Sequence, residues 1–360
     1  MNAIGKPTGR TPRHLSLLAL ALYALVPLAT TDVHADDQTL TIITWSDFLD
    51  PDLVRKFEAA AGVELQEVLI DSDDMRDRLL VNADGEDFDL AFVDGNQLDL
   101  YRARGWLSAL PVDATPNLRH IDPVWAQRYP ASTGHAMPFL WGTTGIAYRS
   151  DLVTRPIRSW LDLFQPGDEL CGRIMMQRNA QDTVETALRA LGKNPATDEP
   201  AALNEAERLM VAQRDCVVEY GYMNLDENSE LLTGEVWAAM AYNGDALMIQ
   251  QYNSDIAFVL PEDGSEVWMD FLVVLKKATH KQLALRFVNF MAEPRHAAQQ
   301  ALYSFYATPN LAAMALLPED FRNNPVIYPS AETLSRAAVD QAYAPRLARR
   351  HNQIMFRVLP

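Results

Sequence analysis

Residues 40–62 read LTIITWSDFLDPDLVRKFEAAAG. Leu40-Thr-Ile-Ile-Thr-Trp45 is a short β-branched run, the composition of a strand. Pro51 to Ala61 carries apolar residues at helical spacing, with Asp50 placed to cap its start and Gly62 to stop it. Val63 to Ile70 alternates like a second strand. Asp73 to Val81 then has the pattern of a helix, Phe88 to Val93 that of a strand, and Gln97 to Arg104 that of a helix ending at Gly105. This strict alternation predicts an α/β fold with a parallel sheet. Ligands of such sheets lie outside the carboxyl ends of the strands, which singles out Trp45 to Phe48 and Asp94 to Asn96.

A second series repeats the logic. Strands are expected at Gly145 to Tyr148, Gly172 to Met176, Cys216 to Tyr220 and Val236 to Tyr242. Helices are expected at Trp160 to Phe164, Thr183 to Leu191, Ala201 to Ala212 and Ser229 to Leu232. Phe271 to Leu275 reads as a further strand bordered by Trp268-Met269-Asp270, after which helices dominate. Two more strand ends thereby enter the candidate set, Asn243 to Asp245 and Asp270.

The first 35 residues read as a secretory leader and not as part of the fold. Lys6, Arg10 and Arg13 precede an uncharged run from Leu15 to Ala29, and Val33-His34-Ala35 supplies small residues for cleavage before Asp36. The run is shorter than the roughly 20 residues of a spanning helix, and no later stretch qualifies, so a soluble mature protein in a periplasm-like compartment is expected. The whole chain carries −17, and the leader +2, which leaves −19 after cleavage. Such a field repels nucleic acid and anionic lipid and attracts cations.

Cys171 and Cys216 are an even pair in an exported chain. If the strands after Cys171 and from Cys216 are parallel neighbours, their starts share one edge and a disulfide can form; the alternative is two buried thiols. No CxxC spacing or histidine cluster points to a metal. No G-x-S-x-G elbow, H-E-x-x-H, Walker A loop or helix-opening G-x-G-x-x-G is present, and the histidines are scattered, so an enzyme is not expected.

The candidate strand ends share one chemistry. Thr44-Trp45-Ser46-Asp47-Phe48, Tyr242-Asn243-Gly244-Asp245 and Trp268-Met269-Asp270 each place an aromatic ring near a carboxylate. A small organic cation needs that combination. Carboxylates neutralise an ammonium and accept its donors. Aromatic faces cover methylenes and add cation–π attraction of ~0.5–2 kcal/mol.

At these residues the chain resembles the spermidine/putrescine-binding proteins, the receptors of polyamine ABC importers. The resemblance runs through Thr44 to Phe48, Leu140-Trp-Gly-Thr-Thr-Gly-Ile146, Ala187 to Gly192, Trp268 to Asp270, Thr308-Pro-Asn-Leu-Ala-Ala313 and Tyr328-Pro-Ser-Ala-Glu-Thr333. It implies a type II periplasmic-binding-protein fold. Two α/β lobes, 36–143 with 270–318 and 144–269 with 319–360, would be joined by crossing strands and would close on the ligand by a hinge. It further implies a monomer that works without a cofactor and hands a polyamine to an inner-membrane permease.

Carried over position by position, Trp45 and Trp268 resemble pocket walls, and Asp47, Asp245 and Asp270 resemble ammonium partners. Ser46 and Phe48 belong to the first motif. Asp182 matches a position usually held by Glu, Tyr242 one often held by Trp, Tyr306 a pocket aromatic, and Asp340 a late polar contact. Asp94 stands where the family usually has a small hydroxyl residue; it either adds a carboxylate to the pocket or caps the next helix. An acidic family position is Asn179 here. With Asp47 and Asp245, this favours a putrescine-type site over a spermidine-type one. A polyamine-sensing module that docks on a sensor, or a receptor for another organic cation, are the alternatives.

Overall fold

The computed structural model describes residues 39–82, 86–335, 337–339 and 344–359. The leader over residues 1–35 and the candidate contact Asp340 lie outside the described residues. The opening stretch folds as its chemistry dictates. The helix Pro51–Ala61 begins with the Asp50 side chain accepting from the Asp52 N–H and with proline at its first position. It ends at Gly62, whose φ of 69° is the left-handed region that glycine adopts without a Cβ penalty. Leu53 and Phe57, four apart, face inward and are buried.

Ten strands occur among the described residues: β1 (Thr39–Trp45), β2 (Glu64–Ile70), β3 (Leu90–Asp94), β4 (Ala136–Arg149), β5 (Ile174–Met176), β6 (Val217–Tyr220), β7 (Ala238–Tyr242), β8 (Ile256–Val259), β9 (Glu266–Val274) and β10 (Ala338–Val339). The main path runs β2-β1-β3-β9-β4-β7-β5-β6, with β8 on β4 and β10 on β9. β1, β2 and β3 are parallel, as are β5, β6 and β7, in keeping with the strand–helix alternation. The two parallel groups are linked by β9 and β4, which pair with each other in antiparallel fashion. The fold is α/β, but its sheet is mixed. Strand direction is set by which neighbour a segment finds, and no local pattern encodes that.

Three local expectations are corrected. Only Gly145 to Tyr148 reads as a strand, yet β4 spans 14 residues from Ala136. Trp268-Met269-Asp270 does not border a strand but lies inside β9, all nine residues of which are buried. A strand covered on both faces loses the alternation that would reveal it. Cys216 does not begin β6; it closes a short 3-10 turn, Arg214–Cys216, just before it.

Separate apolar clusters fill the space around the sheet. One packs Phe57 and Phe287 from two helices against Leu40, Ile42 and Leu272. Another packs Trp160, Leu188 and Ile354 against Ile174 and Met240. Each large side chain so buried contributes about 1.5–3 kcal/mol before entropy. Cys171 and Cys216 form a disulfide with a Cα–Cα distance of 4.3 Å, at the shared starting edge of the parallel pair β5 and β6. No helix among the described residues is long and apolar enough to cross a membrane.

Candidate ligand-binding cleft

A cleft of about 790 Å³ opens where the parallel strands end. Trp45 closes β1, Asp71 to Asp73 follow β2, and Asp94 closes β3. From the other parallel group, Gln177 to Asn179 follow β5, Gly221 and Tyr222 follow β6, and Tyr242 closes β7. The carboxyl ends of both groups therefore face one space, as expected for open α/β sheets. β9 contributes differently. Glu266, Trp268 and Asp270 are alternate residues, so the two-residue period turns all three into the cleft.

The structure gathers most of the candidates. Trp45, Phe48, Asp94, Asp182, Tyr242, Trp268, Asp270 and Tyr306 line the cleft. Ser46 and Asp47 are exposed and outside that lining; Ser46 donates to Asp47 over 3.0 Å, and Asp47 sits at φ 54°. Asp245 stands behind the wall, 2% exposed, accepting from the phenols of Tyr222 (2.7 Å) and Tyr306. Residues that sequence reasoning passed over are Asp71, Ser72, Asp73, Gln177, Arg178, Tyr222 and Glu266. Glu266 was within reach of the alternation from Trp268 and Asp270. Tyr222 carried no signal, because its loop has no periodicity.

The rings form a continuous wall. Trp268 meets Tyr306 edge-on at 4.8 Å and Tyr242 at 5.6 Å. Phe48 anchors the near side on Phe92 at 4.9 Å. Gly142 lets Trp268 seat: a Cβ there would stand 2.5 Å from the indole and 2.3 Å from the Asn243 oxygen.

The carboxylates are crowded. Asp94 and Asp270 face each other across the β3–β9 pair. Asp94 therefore lines the cleft, and its side chain makes no capping bond to the turn that follows. Behind them lies Arg76, 0% exposed, with Nη1 at 2.7 Å from Asp73 and 3.9 Å from Asp94. Its Nε donates to the Tyr101 hydroxyl over 2.8 Å. This buried guanidinium is the counter-charge that lets two acidic side chains share one wall. Asp182, in the first turn of the helix Ala180–Ala190, accepts from the Tyr242 hydroxyl over 3.0 Å. Asn179 caps that helix, and its amide donates to Asp73 over 3.3 Å.

Burial and mutual repulsion push these acids toward their neutral forms. The Asp94 carboxyl is raised to about 8, first by burial and then by Asp270. Burial raises Asp270 and Asp73 to about 7 each, Arg76 opposing the rise in both. Asp182 is raised by burial, then by Glu266, Glu185 and Asp73. Burial lifts Asp245 to about 6 against the two phenols that donate to it.

The folded protein thus holds protons that the unfolded chain, with Asp near 3.8, has already released. The stability these groups contribute is complete below about 3.8 and is lost as pH rises through roughly 6 to 8. The ligand-free protein is expected to melt at progressively lower temperature from about pH 5.5 to about pH 8.5. A melting temperature that climbs across that window would contradict protonated carboxyls in the cleft.

Comparison with known proteins agrees with the geometry. The spermidine/putrescine-binding periplasmic protein of Escherichia coli K12 is 31% identical over 331 residues, covering 89% of this chain and 91% of the relative. A norspermidine sensor of Vibrio cholerae is 29% identical over 319 residues, covering 88% of each. A solved structure from Listeria monocytogenes, proposed there to be a spermidine/putrescine ABC transporter, superposes with a TM-score of 0.82. It is 28% identical and covers 89% of this chain and 98% of its own. The architecture is that of the type II periplasmic-binding proteins. The family model for bacterial extracellular solute-binding proteins matches residues 52–328, and the chain belongs to that family.

Proposed function

We propose that the cleft captures a polyamine, a putrescine-type diamine in preference to spermidine, and that the protein delivers it from the periplasm to an ABC importer of the inner membrane. The observation that carries this reading is the composition of one wall. Asp94, Asp182, Glu266 and Asp270 stand among the rings of Trp45, Tyr242, Trp268 and Tyr306. The acids supply acceptors for the donors of an ammonium, and the rings cover the methylenes. The names of the relatives support the ligand class. Asn179, in place of an acidic residue, supports the smaller ligand.

In this reading Asp182 and Asp270 receive one ammonium, with Asp94 beside them, and Trp45 and Trp268 clasp the chain. Asp47 and Asp245 set the charge at the other end. Asp340 is a further contact, outside the described residues. Lobe 36–143 with 270–318 closes on lobe 144–269 with 319–360 about the β4–β9 pair.

A ligand that binds the folded state alone stabilises it by roughly 2.7 kcal/mol at about one hundred times Kd. Thermal-shift titration should therefore raise the melting temperature with putrescine, and less with spermidine. No shift with putrescine, cadaverine, agmatine, spermidine or spermine at millimolar concentration would sink the reading. The Vibrio cholerae relative favours a second one, in which the loaded protein docks on a polyamine sensor. Stimulation of the importer's ATPase by the loaded protein separates the two.

A further inference from the structure

The acids around the cleft fall into two groups. Asp73, Asp94, Asp182, Glu266 and Asp270 lie close enough to act on one another's charge. Asp245 is apart from them, and the carboxylate acting on it is Asp47. Between the groups stand the rings of Tyr242, Trp268 and Tyr306, each in contact with the next.

Asp245 does not open onto the cleft. Tyr222, half-buried on the loop after β6, reaches across and donates its hydroxyl to Oδ2 over 2.7 Å. Tyr306 donates to Oδ1. Both phenols line the cleft and Asp245 does not, so the phenols stand between the cleft and the carboxylate. An ammonium arriving at this end meets neutral phenol oxygens, whose protons are committed to Asp245. The Tyr222 ring stands 6.4 Å from that of Tyr242 and lines the same cleft.

We propose that Tyr222 is the chain-length determinant of this cleft: its ring ends the channel in front of Asp245 and restricts the ligand to a short diamine. This rests on the polyamine reading. A ligand seated by one ammonium among the first group of acids lays its methylenes along the ring wall and stops at the phenols. Truncating Tyr222 removes the stop and uncovers a buried carboxylate. A longer polyamine then gains both space and a charged partner, which a short diamine cannot reach.

The test is calorimetric titration of the wild type, Tyr222→Ala and Tyr222→Phe with putrescine and spermidine. Tyr222→Ser serves as a second truncation should the alanine variant not fold. Truncation is expected to shift the affinity ratio toward spermidine by about tenfold or more, whereas Tyr222→Phe, which keeps the ring, holds it within about threefold. A folded truncation variant with an unchanged ratio overturns the inference and leaves the polyamine reading standing. So does a truncation variant that loses both ligands, for Tyr222 is then a general contact. A phenylalanine variant that shifts as far as alanine overturns it too, because the hydroxyl and not the bulk would be responsible. If the wild type binds neither polyamine, the ligand reading itself fails and the inference falls with it.

Discussion

Asp270→Asn is expected to weaken polyamine binding by roughly 2–5 kcal/mol, since under the proposed function it removes the counter-charge of a largely desolvated ammonium. Asp270 is 6% exposed and lies mid-strand in β9, where the backbone fixes its direction. Asparagine keeps the volume and the strand pairing. The variant should fold, and its stability should move in the opposite sense to its affinity. It no longer places a second acid opposite Asp94, which then ionises against Arg76 with less opposition. The expected result is therefore a ligand-free protein at least as stable as the wild type near pH 8, with much weaker binding. Calorimetric titration and thermal melting of the same preparation read both quantities. An Asp270→Asn protein that binds like the wild type would place the ligand elsewhere.

Loss of the Cys171–Cys216 disulfide is the largest expected effect on stability. The bond spans 45 positions, for which the chain-entropy model gives about 4 kcal/mol. For a chain of this size that corresponds to a melting temperature lower by roughly 5–10 °C. Binding should be untouched. The cysteines sit at the starts of β5 and β6, whereas the cleft takes its residues from the ends of those strands, Gln177 to Asn179 and Gly221-Tyr222. Thiol titration of the denatured, unreduced protein should find no free thiol. Reduction should lower the melting temperature and leave the order of polyamine affinities as it was. Two free thiols before reduction, or a changed order after it, would count against this account.

What could be read from the chain alone followed from short-range chemistry. The helix Pro51–Ala61 was legible because its cap, its first proline and its stop lie within one short run, Asp50 to Gly62. The aromatic–carboxylate pairs at Trp45, Tyr242 and Trp268 were legible because ring and acid are near neighbours in sequence and follow or flank β-rich runs. The even cysteine pair, each member just ahead of a strand, was legible as well, but that the two strands are neighbours and the bond can form was not. Signals of this kind depend on positions a few residues apart, and pattern preserves them.

Tertiary structure decided everything that joins distant segments. Nothing in the run Asp73-Asp-Met-Arg-Asp-Arg78 marks Arg76 as fully buried; it reads as a solvated helix face until β3 brings Asp94 and Tyr101 comes to meet it. The direction of β9 made Asp94 and Asp270 opposite partners and turned Glu266 into the cleft, and direction depends on the neighbour a strand finds. The phenols on Asp245 come from positions 23 and 61 residues away, on elements with no shared pattern. The chain alone thus showed aromatic–carboxylate pairs in three segments, the chemistry a small organic cation needs. How its charges are paired and which of these side chains line one cleft were decided by packing, because electrostatic and steric contacts act through distance in space and leave no period in the sequence.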